Sequence, residues 1–187
     1  MSYYQKVEWT VTPKSAPKVI RNCPKCGEKT HYINSTKFRV NANGKNIDVW
    51  LIYNCNKCKS KWNMTIHERT NPKDIDPDQY DRYISNDKEL AHQIGFDPVF
   101  HKRNHSKLVY DSVEFDVSVN EIDANEITLN TQEITIRCPL NINLRLDKLL
   151  ADHLNISRSK LSKTLSEVIP LKKKISDGMT FILPSNY

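Results

Sequence analysis

At 187 residues, 38% apolar and 27% charged with a formal net charge of +6, the chain has room for one large domain or two to three small ones at roughly 100–200 residues each. The apolar share is low for one compact core and suits several small modules, while nine prolines against four glycines exclude a flexible low-complexity protein. The longest strictly apolar stretch, residues 49–53, falls far short of the ~20 residues that span a bilayer. The first residues, Met-Ser-Tyr-Tyr-Gln-Lys-Val-Glu, lack the apolar run of a signal peptide, so a soluble, cytoplasmic protein with no membrane partner is expected.

The charge is unevenly spread. Lys+Arg against Asp+Glu count 13 to 4 in residues 1–70, 7 to 14 in residues 71–139, and 8 to 4 in residues 140–187. Two basic ends flanking an acidic middle point to an anionic partner. The alternative is that the ends fold back on the middle and the charges cancel internally.

In chain order, Cys23-Pro-Lys-Cys26-Gly27 and Cys55-Asn-Lys-Cys58 come first, two Cys-x-x-Cys knuckles 28 residues apart. In a reducing cytosol such spacing signals a metal or redox chemistry rather than disulfides. Two-residue spacing lets both sulfurs of one tight turn face the same ion, and four thiolates suit one structural zinc ion, whose filled shell accepts a tetrahedral set. Gly27 supplies a position for positive φ. Between the knuckles, Phe38-Arg-Val40 runs into Asn43-Gly44 and Ile47 to Tyr53 returns, the pattern of a hairpin whose turn demands φ > 0 at both central residues. Past the second knuckle Trp62, Met64 and Ile66 alternate with polar residues, as a half-buried strand does. Knuckle, hairpin, knuckle and strand compose a small antiparallel zinc ribbon over residues 1–70.

Iron is the competing metal, because rubredoxin-like proteins also pair Cys-x-x-Cys knuckles. The second knuckle here lacks their usual proline and glycine, and lysines crowd the sulfurs. Four cysteine ligands leave no open position for catalysis. His31 and His67 are read as strand or surface histidines. Lys37-Phe38-Arg39, Trp50, Tyr53 and Lys61-Trp62 interleave aromatics with bases, the pattern either of a nucleic-acid-binding sheet or of the ribbon's own core.

Residues 71–139 are expected to be a helix-then-strand region. Asn71-Pro72 and Asp76-Pro77 mark a break. Tyr80, Tyr83, Ile84, Leu90, Ala91 and Ile94 keep helical spacing, in one helix or two, with Gly95 as the C-cap and Pro98 preventing continuation. Residues 101–107, His-Lys-Arg-Asn-His-Ser-Lys, read as a solvated basic loop. Val113, Phe115, Val117 and Val119 alternate, as do Ile134, Ile136 and Cys138, so two strands are expected, with Cys138 a small buried hydrophobe.

In residues 140–187, Arg145-Leu-Asp-Lys-Leu-Leu150 opens an amphipathic helix. Ser157 caps a second helix, with Ile156 and Leu161 placed to staple it. Leu161, Leu165 and Val168 continue an apolar stripe to Pro170, and Asp177-Gly178 turns into a last strand from Met179 to Leu183. This pattern resembles the RNA-binding domain of ribosomal small-subunit protein S-four, the alpha-L motif. That resemblance implies an α+β module of two helices on a small sheet, with phosphate contacts from bases on the second helix and adjoining loops. Arg145, Arg158, Lys160 and Lys163 match positions that the motif commonly makes basic, and Lys148, Lys172, Lys173 and Lys174 join them as candidate nucleic-acid-binding residues. The family's Val-Asn-Gly-Lys hairpin is reduced here to Val168-Ile-Pro-Leu171.

The chain also resembles an uncharacterised bacterial family known as a domain of unknown function, DUF-1062. Residues 38–45, residues 48–53, the second knuckle with Trp62 and the Arg-Leu-Asp start of the last module carry the likeness. It implies a shared α+β architecture and no particular activity. The expected function is that of a non-enzymatic zinc protein associated with RNA or the ribosome. The alternative is a zinc-ribbon adaptor that binds a protein partner. No Gly-rich phosphate loop, nucleophile elbow or carboxylate–histidine constellation suggests an enzyme or a small-molecule substrate.

Overall fold

The computed structural model describes residues 5–121, 131–140 and 142–184; residues 1–4, read above for a targeting signal, lie outside them. The chain forms β1 (Gln5–Pro13), β2 (Lys18–Cys23), β3 (Glu28–Asn43), β4 (Asn46–Cys55) and β5 (Lys61–Thr70), then α1 (Pro77–Ile84), α2 (Lys88–Phe96) and α3 (Pro98–Arg103). It continues with β6 (Lys107–Val109), β7 (Phe115–Glu121), β8 (Gln132–Arg137), α4 (Leu146–Leu154), α5 (Arg158–Leu165) and β9 (Thr180–Leu183). The described residues are therefore mixed α+β, with two sheets rich in antiparallel pairs and five α-helices. They divide into two units, Ser15–Val113 and Met1–Lys14 with Glu114–Tyr187. The sequence boundaries at residues 70 and 139 do not coincide with this division, because β1 pairs with β7 and β8 across more than a hundred residues of chain, a long-range pairing that local patterns do not announce.

In Ser15–Val113 the sheet order is β5-β4-β3-β2-β6, antiparallel throughout. Strand β4 alternates without a break, and Ile47, Val49, Leu51, Tyr53 and Cys55 are all buried. Tyr32 and Phe38 of β3 and Met64 and Ile66 of β5 extend that face, and Tyr83, Leu90, Ala91 and Ile94 of the helices close over it. Of the interleaved aromatics, Phe38 and Tyr53 belong to this core and Trp62 packs against it, while the half-buried Trp50 lies on the other face beneath the Arg39 guanidinium. The β3–β4 turn differs from the expected one. Asn43 pairs with Asn46, so the two turn residues are Gly44 and Lys45, and of these only Gly44 has positive φ, +63°, as a glycine-first hairpin turn requires.

Part of the acidity of the middle region has a local cause. Asp76, Asp87 and Asp97 are the N-caps of α1, α2 and α3, their carboxylates accepting the N–H of Gln79, Leu90 and Val99, where a negative charge also meets the positive end of the helix. Gly95 is not a C-cap: it lies inside α2, where a Cβ would stand 2.8 Å from Asn34 Nδ2 and 2.9 Å from Ala16 Cβ. Pro98 does more than end a helix, because it opens α3, where its missing N–H costs nothing. The expected basic loop is partly helical, since His101, Lys102 and Arg103 form the last turn of α3. His101 is buried, its ring nitrogens 3.0 Å from Gly95 O and 2.9 Å from Ser106 Oγ.

In the other unit the order is β7-β1-β8-β9, with β1 parallel to β8 and the remaining pairs antiparallel. Val7, Trp9 and Val11 of β1, Ile134 and Ile136 of β8, and Phe181 and Leu183 of β9 are buried, together with Leu146, Leu149, Leu150, Leu161 and Leu165 of α4 and α5. Trp9 packs on His153 of α4 at 4.3 Å between ring centroids and edge-on to Phe181. Helix α4 ends at Asn155 in the left-handed conformation, φ +54°, which asparagine tolerates better than most residues. Ser157 then caps α5 by accepting the Lys160 N–H, as its position in the sequence suggests. Cys138 is buried and its thiol donates to Leu140 O. Val168 departs from the expected apolar stripe: it lies beyond the end of α5 and is 63% exposed.

Candidate metal centre and basic cleft

The two knuckles meet at one end of the five-stranded sheet. Cys23 is the last residue of β2 and Cys55 the last of β4, and the strands that follow each knuckle, β3 and β5, run back antiparallel. The four sulfurs of Cys23, Cys26, Cys55 and Cys58 lie within 4.8 Å of one another, with Cys23–Cys58 at 3.5 Å and Cys26–Cys55 at 3.9 Å. Four sulfurs at ~2.3 Å from a tetrahedral ion stand about 3.8 Å apart, so these residues can hold one metal ion. An all-sulfur tetrahedral set suits zinc or iron. Among the described residues the cysteines are the only members of the cluster; the His67 ring lies against the Tyr83 hydroxyl instead, and His31 contributes its carbonyl to the Asn56 N–H.

Each knuckle is a tight turn closed by its own backbone. Cys26 N–H and Gly27 N–H donate to Cys23 O, and Lys59 N–H donates to Cys55 O. The residue after each second cysteine is left-handed: Gly27 at φ +69° and Lys59 at φ +61°. Hydroxyl groups that the sequence reading missed surround the sulfurs. Ser60 Oγ is 3.3 Å from Cys23 Sγ and 3.1 Å from Cys58 Sγ, and the buried Thr30 Oγ1 is 3.3 Å from Cys55 Sγ. The Ser60 hydroxyl holds the Cys23 thiol down at about 5, while the neighbouring Cys58 and burial push Cys26 up to about 12. Burial also opposes ionisation of Cys55, but the N–H groups of its own knuckle and the Thr30 hydroxyl bring it below the usual thiol range. The Arg21 guanidinium lies 4.0 Å above the Trp62 ring, which in turn packs on Tyr53 and Tyr32 beside the centre.

The two left-handed positions give substitutions of opposite sign. A non-glycine residue there costs roughly 1 kcal/mol, so Lys59→Gly is expected to raise metal affinity about fivefold and Gly27→Ala to lower it by about as much or more. Competition with a chromophoric chelator measures both, and equal affinities in the two variants would refute the backbone argument.

The basic residues singled out in the last 48 residues separate into two groups. Arg145, Arg158, Lys172 and Lys173 line a cleft of about 380 Å³ with Ser162 and Ser166, whereas Lys148, Lys160, Lys163 and Lys174 are not part of its wall. Asp147, which the sequence reading passed over, organises the cleft. Its carboxylate accepts Arg145 Nε at 3.1 Å and Nη2 at 2.7 Å, and Arg158 Nε at 3.1 Å and Nη2 at 2.6 Å. Burial would raise its pKa, but the Arg158 and Arg145 hydrogen bonds and charges hold it below the usual carboxylate range. The signal was present in the sequence as Arg145-Leu-Asp147 and Arg158, eleven residues apart from carboxylate to second guanidinium.

Redistributed by unit, Ser15–Val113 carries 17 Lys+Arg against 11 Asp+Glu and the other unit 11 of each. The acidic residues 74–97 thus share a unit with the basic residues 18–69, and the three-part charge asymmetry of the sequence is not that of the fold.

Fold and site together define an α+β protein with a four-cysteine centre and a second, basic cleft. The chain belongs to the family described as Protein of unknown function (DUF1062), which it matches over residues 40–174, a stretch that includes Cys55, Cys58 and the whole cleft. No curated protein and no solved structure matches it. Among the described residues no helix is long and apolar enough to cross a membrane.

Proposed function

We propose that this protein is a non-enzymatic, cytoplasmic zinc protein that associates with RNA or the ribosome through its basic surfaces. The observation that carries the reading is the cleft in which Arg145, Arg158, Lys172 and Lys173 converge, held by one carboxylate that leaves an excess of positive charge. The order α4, left-handed Asn155, capped α5 and a strand after Asp177-Gly178 supports an S-four-like module, and the two knuckles joined by a β-hairpin support a zinc ribbon. Zinc is favoured over iron because the second knuckle carries Lys59 where rubredoxin-like sites carry glycine, and because lysines surround the sulfurs.

Phosphate binding by these bases releases counterions, so affinity falls steeply with salt. Neutralising Lys172, Lys173 and Lys174 together is expected to reduce the slope of log affinity against log salt by about 2–3. Sedimentation of the protein from cell lysate, with and without ribonuclease and at two salt concentrations, tests the association itself. Co-migration with an RNA particle that ribonuclease abolishes supports it; migration as a free small protein in every lane removes it. One observation favours the adaptor reading: Ile33 is 41% exposed on the sheet face turned away from the helices. A protein partner retained after nuclease treatment and lost in Ile33→Asp would select that reading.

A further inference from the structure

We propose that the cleft between α5 and the 169–173 segment binds a single nucleotide, its phosphate on the two guanidiniums and its sugar and base along the serine side. The inference deepens the RNA reading and rests on it for the strand as natural source of that nucleotide. A volume of about 380 Å³ lies at the lower end of the range for small-ligand sites and is too small for a folded partner. The wall has two chemistries, as a nucleotide has.

The first is cationic and preorganised. Four cations face one carboxylate, so the site keeps an excess of three positive charges. Each arginine uses Nε and Nη2 on Asp147, and among the described residues neither Nη1 has a partner. The side chains of Arg145 and Arg158 are 45% and 52% exposed, so these free N–H groups are open to an incoming anion. Asp147 fixes both planar forks before a ligand arrives, which removes the cost of ordering them on binding. A guanidinium fork matches two phosphate oxygens at once.

The second chemistry is neutral. Ser162 of α5 and Ser166, the residue that caps the C-terminus of α5, line the same side of the cleft four residues apart, and the exposed Pro170 ring borders them. Their hydroxyls suit the hydroxyl groups of a ribose and the edge of a base, and the proline ring gives a flat apolar surface for the base. Inorganic phosphate would use only the first half of this wall.

Calorimetric titration of the full chain with UMP, AMP, uridine, O-phosphoserine, inorganic phosphate and a short oligouridylate tests the proposal. UMP and AMP are expected to bind at least tenfold more tightly than uridine, phosphate or phosphoserine. Ser162→Trp, which fills the cleft without altering its charge, is expected to lower UMP affinity at least tenfold with an unchanged melting temperature. Ser166→Trp does the same from the next turn should the first variant fail to fold. Equal binding of UMP and phosphate, equal binding of UMP and phosphoserine, or UMP binding that survives both tryptophans overturns the proposal. An oligouridylate bound more tightly than UMP assigns the site to a strand, and equal affinity assigns it to the free nucleotide. The RNA association fails separately, by sedimentation, whatever UMP does.

Discussion

Replacing Cys55 with serine is expected to empty the metal centre and to destabilise Ser15–Val113 by about 4 kcal/mol, the range reached when a mutation removes a structural metal. A melting temperature lower by about 15–30 °C corresponds to that loss in a unit of this size. The argument starts from burial: Cys55 is fully buried at the end of β4, with its sulfur against Thr30. A zinc finger without its own core owes about 10–16 kcal/mol to its ion. Here Leu51, Tyr53, Met64 and Ile66 build a core beside the site, so the sheet survives and the knuckle end frays. Cys58→Ser is expected to cost less, because Cys58 is only partly buried and Ser60 lies beside it. Metal analysis together with thermal unfolding of the full chain, with and without a strong chelator, measures all of this. A Cys55→Ser protein that retains one equivalent of metal and the parental melting temperature would show that the four sulfurs do not form one site. A colourless protein with one zinc per chain separates zinc from iron.

The second large effect is expected at Asp147. Asp147→Ala leaves Arg145 and Arg158 with no anion between them at the start of α4. Hydrogen bonds to a charged group contribute about 1.5–3 kcal/mol net. Because both arginines are about half exposed, solvent screening places the loss near 2 kcal/mol, a melting shift of about 8 °C or more. Arg158→Ala is expected to lose less, since Arg145 keeps its two-point contact with both carboxylate oxygens.

The pH dependence follows from the direction of the shift. The folded protein holds Asp147 below its ordinary value of 3.8, so the unfolded chain takes up the proton first. The stabilisation is therefore complete above about pH 5 and is lost as pH falls through the folded pKa. Asp87, held down by the Leu90 N–H and Arg82, adds to the same acid limb. Asp147→Asn should flatten part of that limb, leaving the Asp87 part. Unfolding by denaturant from pH 7 to pH 2 reads the difference, and parallel curves for the two proteins would mean that the pairing contributes nothing.

Features whose physics is local are legible in the residues alone. The two Cys-x-x-Cys knuckles needed only spacing, because two-residue separation fixes which way both sulfurs face. The alternation of β4 and the spacing of Tyr83, Leu90, Ala91 and Ile94 announced a strand and helices, since burial on one face leaves a period in the chain. Ser157 as a cap and Asp177-Gly178 as a turn were legible for the same reason. Errors of detail arose where two local signals compete. Asn43-Gly44 and Gly44-Lys45 are both acceptable turns, and the register of β3 against β4, set by packing along the whole hairpin, selected the second. Gly95 carries the signature of a C-cap, yet close approach of Asn34 and Ala16 explains it.

Features that depend on long-range pairing become visible in the folded chain. Val7, Trp9 and Val11 alternate visibly, but nothing within β1 says that its partners are β7 and β8, more than a hundred residues further along the chain. The acidic run of residues 74–97 looked like a separate region because charge is counted along the chain, whereas caps and core are counted in space. The basic residues at the end of the chain looked equivalent in sequence. Folding brings Arg145 and Arg158 onto one carboxylate and Lys172 and Lys173 to the same cleft, and leaves Lys148, Lys160, Lys163 and Lys174 outside it, because an Arg–Asp–Arg contact needs a corner between two helices that no local periodicity encodes.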